Sequence, residues 1–316
     1  MLFRSTQQQA KEQFEGYFKG KKLLPNVFLN EKNRISEMRK LYVPYWLFDC
    51  TAQGDIVYDA TRTHVERTGE WEITHTRHYA VRRRGKMRFE NIPVDGSAKL
   101  DNKITESLEP FDLNTAIPFQ PAILAGAMAD AADVDSDTCE ARAVERVTES
   151  VESKLRSTVN NYDTVTTRSK HFRTDDGRAT PVLMPVWLIA TKKGEKTYTF
   201  AINGQTGKLT CNVPADKKKA FLWGAGVFAG VLAAAAGGLA IAKMLGTGTI
   251  LIAALVALII AFCVVAGLKS QLKQAKYQGA AGDYVREDSF RLEMNFDQFL
   301  YETKTKRKIE SNPKKS

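Results

Sequence analysis

The chain has 316 residues, 26% of them charged and 43% apolar, with 10 prolines and 21 glycines, which excludes a wholly disordered, collagenous or low-complexity protein. Four cysteines, Cys50, Cys139, Cys211 and Cys263, lie far apart with no C-x-x-C pair, so neither a disulfide framework nor an internal zinc ribbon is encoded and free thiols follow. The 46 basic residues outnumber the 36 acidic ones, and the net charge of +10 suits anionic partners, either lipid headgroups or nucleic acid.

From the N-terminus, Gln7 to Lys22 predicts an amphipathic helix carrying Phe14, Tyr17 and Phe18 and ended by Gly20 and Pro25. Tyr42 to Phe48 and Gly54 to Tyr58 are strand-like. Trp71 to Val81 partly alternates, so an antiparallel meander is expected up to about Glu90, with Asp95-Gly96 as a turn. A second helix follows the capping residues between Asp133 and Asp137, with Val144, Val147, Val151 and Leu155 as its apolar stripe.

Val43-Pro-Tyr-Trp-Leu-Phe48 is echoed by Met184-Pro-Val-Trp-Leu-Ile189. Two related β-hairpins in one sheet are the expectation, with Trp46 and Trp187 as core residues packed on the helix that carries Val144 and Val151. Tyr198 to Ile202 then reads as a strand entering a tight turn at Asn203-Gly204.

Between Ala220 and Leu268 the only charge is Lys243. Residues 220–242 and 244–268 are each long enough to cross a hydrocarbon core of ~30 Å at ~1.5 Å per residue, so a tight transmembrane hairpin turning near Gly246-Thr247-Gly248 is expected. Gly226, Gly230, Ala234 and Gly238 form a small-residue stripe for close helix packing. Lys217, Lys218 and Lys219 precede the first span, Trp223 sits near its entry, and Lys269, Lys273 and Lys276 follow the second. Positive flanks mark the cytoplasmic side, and no export signal is apparent at Met1, so both termini are expected in the cytoplasm. In the tail, Phe290, Leu292 and Met294 alternate and Phe299 to Tyr301 follow a polar stretch, which suggests a hairpin before the basic run from Lys304 to Lys308.

The residues so assembled resemble a bacterial family of uncharacterised membrane proteins labelled as zinc-ribbon proteins of the transcription factor IIB type or as PriA-like helicases. The resemblance rests on Tyr42 to Asp49, Phe89-Glu-Asn-Ile-Pro-Val-Asp-Gly-Ser97, Leu108-Glu-Pro-Phe-Asp112, Leu124-Ala-Gly126 and Tyr198 to Lys208. In that family a cysteine-rich ribbon precedes the first helix. Such a ribbon is missing from this sequence, so zinc and nucleic-acid binding do not carry over.

Candidate chemistry is sparse. Gly204-Gln-Thr-Gly-Lys208 lacks both the first glycine and the hydroxyl residue of a phosphate loop and reads as a hairpin turn. Neither a dinucleotide fingerprint nor a hydrolase elbow is present. His64, His75 and His78 lie near Glu66, Glu70 and Glu72, but in a strand His75 and His78 point to opposite faces, and His171 stands alone, so no metal site is assigned. No catalytic residue or cofactor is assigned either. Arg77, Arg82, Arg83, Arg84, Lys86 and Arg88, interleaved with Tyr79, Phe89 and Trp71, form the densest basic patch, open to solvent, anionic lipid or nucleic acid.

The expected architecture is α+β: a cytoplasmic antiparallel-sheet domain over residues 1–216, a transmembrane hairpin over 217–269 and a basic tail over 270–316. The expected role is that of a membrane-tethered, non-catalytic interaction or scaffold protein with an unidentified protein partner. A membrane-anchored nucleic-acid-binding regulator and an enzyme of unrecognised type are the alternatives.

Overall fold

A computed structural model describes residues 1–28, 35–193, 196–211, 213–241, 246–272 and 279–309. The protein is mixed α and β, with a large, mainly antiparallel sheet and two apolar helices. It divides into two compact units, neither contiguous in sequence: Met1–Tyr45, Ser97–Asp133 and Val182–Tyr277 form the first, and Trp46–Gly96, Val134–Pro181 and Gln278–Ser316 the second. Two long strands, β1 (Glu37–Thr68) and β4 (Thr164–Lys193), contribute residues to both.

The first unit contains α1 (Gln7–Phe18), α2 (Asn102–Ser107), β3 (Met128–Ala129), β5 (Lys196–Asn203), β6 (Leu209–Cys211), α4 (Lys217–Ile241) and α5 (Thr247–Ser270). Its strands run β6-β5-β4-β1, with β3 parallel to β1 at Leu41 and Tyr42. Helix α1 starts at a capping box in which the Gln9 amide donates to Thr6 Oγ1 (3.2 Å) and the Thr6 amide donates to Gln9 Oε1 (2.8 Å). Ala10, Phe14, Tyr17 and Phe18 recur at helical spacing on its buried face. There Phe14, Phe18 and Phe28 surround Phe200 of β5 with ring centroids 5.0 to 5.9 Å apart, mostly edge to face.

The second unit contains β2 (Trp71–Asp95), α3 (Ser136–Ser157) and β7 (Arg291–Lys308) besides its parts of β1 and β4, in the order β4-β1-β2-β7. Gly69, at φ +60°, supplies the turn between β1 and β2 that a side chain would strain. Helix α3 is capped by Asp135, whose carboxylate accepts from the Thr138 amide (2.8 Å). Cys139, Ala143, Val147, Val151 and Leu155 form its buried row and meet Ala52, Ile56, Tyr58, Val81, Met87 and Phe89. The stripe therefore runs through Ala143, and Val144 lies beside it, half-buried.

Several expectations are corrected here. The two strand segments around Tyr42 and Gly54 are one strand. Among the described residues the tail holds no hairpin: β7 is a continuous strand paired antiparallel along β2, from Trp71 opposite Lys308 to Lys86 opposite Arg291. Trp46 and Trp187 both lie in antiparallel pairs, β1 with β2 and β4 with β5, but in different units with different helices. Trp46 packs on the α3 cluster and its Nε1 donates to the Val134 carbonyl (3.1 Å). Trp187 belongs to the α1 cluster, not the α3 cluster, and its Nε1 donates to Ser5 Oγ (3.0 Å).

Candidate functional site

Helices α4 and α5 are 25 and 24 residues long, about 36 Å each at ~1.5 Å per residue, and both are long and apolar enough to cross a membrane. They pack together, with Gly224 of α4 facing Val265 of α5, so the start of α4 lies by the end of α5. The contact does not use the glycine stripe. A Cβ built on Gly226, Gly230 or Gly238 would meet nothing, whereas Ala257 and Ala261, one turn apart on α5, are buried. Small residues do line the interface, but they are Gly224 of α4 and Ala257 and Ala261 of α5 in place of the expected stripe. The remaining surface is exposed and apolar, with Phe221 and Phe262 each 75% exposed and Leu251 66%.

The lysine flank is part of α4. Lys217, Lys218 and Lys219 form its first turn, where the Asp216 carboxylate accepts from the Lys218 and Lys219 amides (2.9 and 3.2 Å). Lys219 Nζ donates to the Leu24 carbonyl (2.6 Å), and Lys22 Nζ lies 4.3 Å from the centre of the Trp223 ring. Lys269 sits in the last turn of α5, while Lys243, Lys273 and Lys276 lie outside the described residues.

The basic run of β2 splits between the two faces of the sheet. Arg83 points inward with Val81, Met87 and Phe89, is almost wholly buried, and donates from Nη1 to Asp297 of β7 (2.5 Å). Arg82 and Arg84 lie on the opposite face and both fork onto Asp55 of β1, at 2.6 to 2.9 Å. The hydrogen bond from Arg82, with that from Arg84, holds the Asp55 carboxyl down at about 2, below its ordinary 3.8. Arg77 pairs with Glu302 (3.1 Å), Lys86 with Glu293 (3.1 Å) and Arg88 with Glu90 (3.0 Å). Each of the six cations thus has a carboxylate partner, three of them supplied by β7. Apart from Glu90, which lies on β2 itself, these partners come from other strands, which is why sequence reading missed them.

His75 and His78 do point to opposite faces. His75 Nδ1 shares a hydrogen bond with Glu302 (2.8 Å), whereas His78 stacks on Tyr301 with ring centroids 4.4 Å apart. His64 lines an open groove with Arg62, Thr63, Glu66, His75 and Arg77.

The segment Gly204 to Lys208 is a turn. Asn203 Oδ1 accepts from the Gln205 and Thr206 amides (2.8 and 3.0 Å), and Lys208 Nζ donates to the Glu109 carbonyl. Asn203 Nδ2 also donates to the Leu108 and Pro110 carbonyls (2.9 and 3.1 Å), so two of the motifs behind the family resemblance clasp each other. Two others meet where the Asn91 amide donates to Asp49 Oδ1 (2.7 Å). Gly204 is required by close approach, since a Cβ there would fall 2.6 Å from the Phe3 ring and 2.8 Å from the Pro185 carbonyl.

Near α1, Lys21 Nζ lies 2.9 Å from the centre of the Tyr17 ring with no hydrogen-bond partner among the described residues. Burial lowers its pKa to about 8, and the neighbouring Cys211 opposes the shift.

These features define an α+β protein that presents a charge-paired sheet face and two exposed apolar helices of membrane-spanning length. The chain belongs to the family of the uncharacterized protein YdjG of Bacillus subtilis (strain 168), with which it is 30% identical over 232 residues, 73% of this chain and 68% of that protein. No family model matches the sequence, and no solved structure matches it.

Proposed function

We propose that the protein is a membrane-tethered, non-catalytic interaction protein, with α4 and α5 crossing the bilayer as a hairpin and both termini in the cytoplasm. The observation that supports this reading is the apolar surface that the described residues of the two helices leave exposed. Lipid removes that surface from water at a gain of about 25 cal/mol per Å². The lysines of the first turn of α4 and Lys269 of α5 supply cations at one end of the pair, where anionic headgroups contribute about 1 kcal/mol per residue. Trp223 with Lys22 above its ring suits the interface between headgroup and water.

Flotation tests the anchor: the full-length chain should remain with vesicles after alkaline carbonate washing, and release into the wash would overturn the reading. For orientation, Cys139 and Cys211 are poor reporters because both are buried. Cysteines introduced at the exposed positions Gln8 and Thr303 should resist a membrane-impermeant thiol reagent until cells are permeabilised. Labelling of either in intact cells would reverse the topology.

Arg77 and Arg88, on opposite faces of β2, are the most exposed cations of the basic run. Their carboxylate partners leave little net attraction for a polyanion, which favours a lipid surface or a protein over nucleic acid. Competition between anionic vesicles and DNA at physiological salt decides this. A preference for DNA that depends on Tyr79 or Trp71 would favour the nucleic-acid-binding regulator.

A further inference from the structure

Strand β7 closes the strand order of its unit, so its outer row of backbone amides and carbonyls has no partner strand among the described residues. Edge strands of 18 residues invite pairing, and proteins blunt them with lysines and bulges. Both devices are present, but not everywhere. Lys304, Lys306, Arg307 and Lys308 guard the distal end, and register shifts against β2 mark bulges at Glu293 and Leu300. Between the bulges Met294 to Phe299 is regular, and the exposed side chains there and just beyond include the apolar and aromatic Phe296, Phe299, Leu300 and Tyr301 beside the polar Asn295, Asp297 and Gln298.

We infer that β7 pairs antiparallel with β7 of a second copy of this chain, forming a two-fold dimer across this edge. The partner is chosen by charge. Glu293, Asp297 and Glu302, the carboxylates of β7, are each matched within their own unit by Lys86, by Arg83, and by His75 and Arg77. Two copies therefore meet without repulsion between carboxylates, whereas a strongly basic peptide finds no unmatched carboxylate to read.

Symmetry narrows the register. An antiparallel two-fold sets one residue opposite its own copy, because hydrogen-bonded and non-bonded pairs alternate along the strand. A centre at Asp297 opposes two carboxylates, and a centre at Phe299, allowing for the bulge at Leu300, opposes Asp297 to Glu302. A centre at Gln298 opposes no like charges. It also sets Phe296, on the face of Arg82, against Tyr301 of the copy, on the same face beside His78. Aromatic pairs then flank the axis on both sides.

The test uses the full-length chain in detergent, with Cys263→Ser to remove the exposed native thiol. Light scattering should report a dimer at micromolar concentration, and Gln298→Cys should be linked to its copy by a short bis-maleimide while Thr305→Cys is not. Phe296→Lys should weaken the dimer at least 100-fold. Because Phe296 is 54% exposed this change should leave the monomer folded, and Gln298→Lys, also exposed, provides a second disrupting variant. A monomer at 100-fold higher concentration overturns the inference. So does a dimer indifferent to both lysine variants, or Gln298→Cys crosslinking only to other proteins.

Discussion

The two units solve the same packing problem with different chemistry. Each lays an amphipathic helix on antiparallel strands, and each contains one of the two Trp-Leu pairs of the echo, Trp187-Leu188 in the first and Trp46-Leu47 in the second. The first fills the space under α1 with rings, Phe14, Phe18, Phe28 and Phe200, and buries Trp187 among them. The second fills the space under α3 with Val147, Val151, Leu155, Ile56 and Val81, and leaves Trp46 half-buried at the margin. Its far face is ionic, with Asp55 gripped by two arginines. A shared strand motif thus settles neither the core nor the role of its tryptophan. The helix that lands on the strand does.

Four measurements would break or sharpen that contrast. Trp187→Ala should cost ~3 to 5 kcal/mol because it empties a ring-lined core, whereas Trp46→Ala should cost ~1 to 2 kcal/mol, so equal losses in chemical denaturation would erase the difference. Leu155→Ala, at the end of the buried row of α3, should cost ~2 to 5 kcal/mol, a loss read by the same method. Lys21→Met should stabilise the protein at pH 7 by about 1 kcal/mol, because the fold disfavours the charged amine. Its pKa is lowered from 10.5 to about 8, so in the parent the penalty is complete below pH 8 and relieved as pH rises toward 10.5, and a melting-temperature profile of parent and variant should converge there.

The smallest effect is at the ionic face. The Asp55 carboxyl is depressed from 3.8 to about 2, so its contribution is present above pH 4 and is lost as pH falls through 2. Asp55→Asn should remove that acid limb from the melting profile, and an unchanged limb would show that the arginine fork contributes nothing.

Periodicity made the helices and most strands legible, because an amphipathic stripe or an alternation is a local signal. The α3 stripe was misplaced by one residue at Val144 because Ala143, small and weakly apolar, carries the buried row. The tail reads as a hairpin because the polar Asn295, Asp297 and Gln298 interrupt its apolar residues like a turn, whereas in the fold they continue one strand in regular register. The partners of the basic run were invisible, since Asp55 and Asp297 lie 27 and 214 residues from the arginines they pair with. Nor could the pattern of small residues say which of them would make the close contact, because both α4 and α5 are rich in them.

The interleaved threading of the chain has a consequence for its biosynthesis. Strand β7 follows both apolar helices in the sequence, yet it completes the sheet that begins with β1 and β2. Synthesis proceeds at about 5 to 20 residues per second, so for roughly 10 to 40 seconds the edge of β2 that β7 will cover, and the side chain of Arg83, wait without that strand. The apolar helices emerge within that interval. On the proposed topology, capture of these helices by the insertion machinery would precede the arrival of the last strand, and the second unit would close only after the hairpin had entered the bilayer.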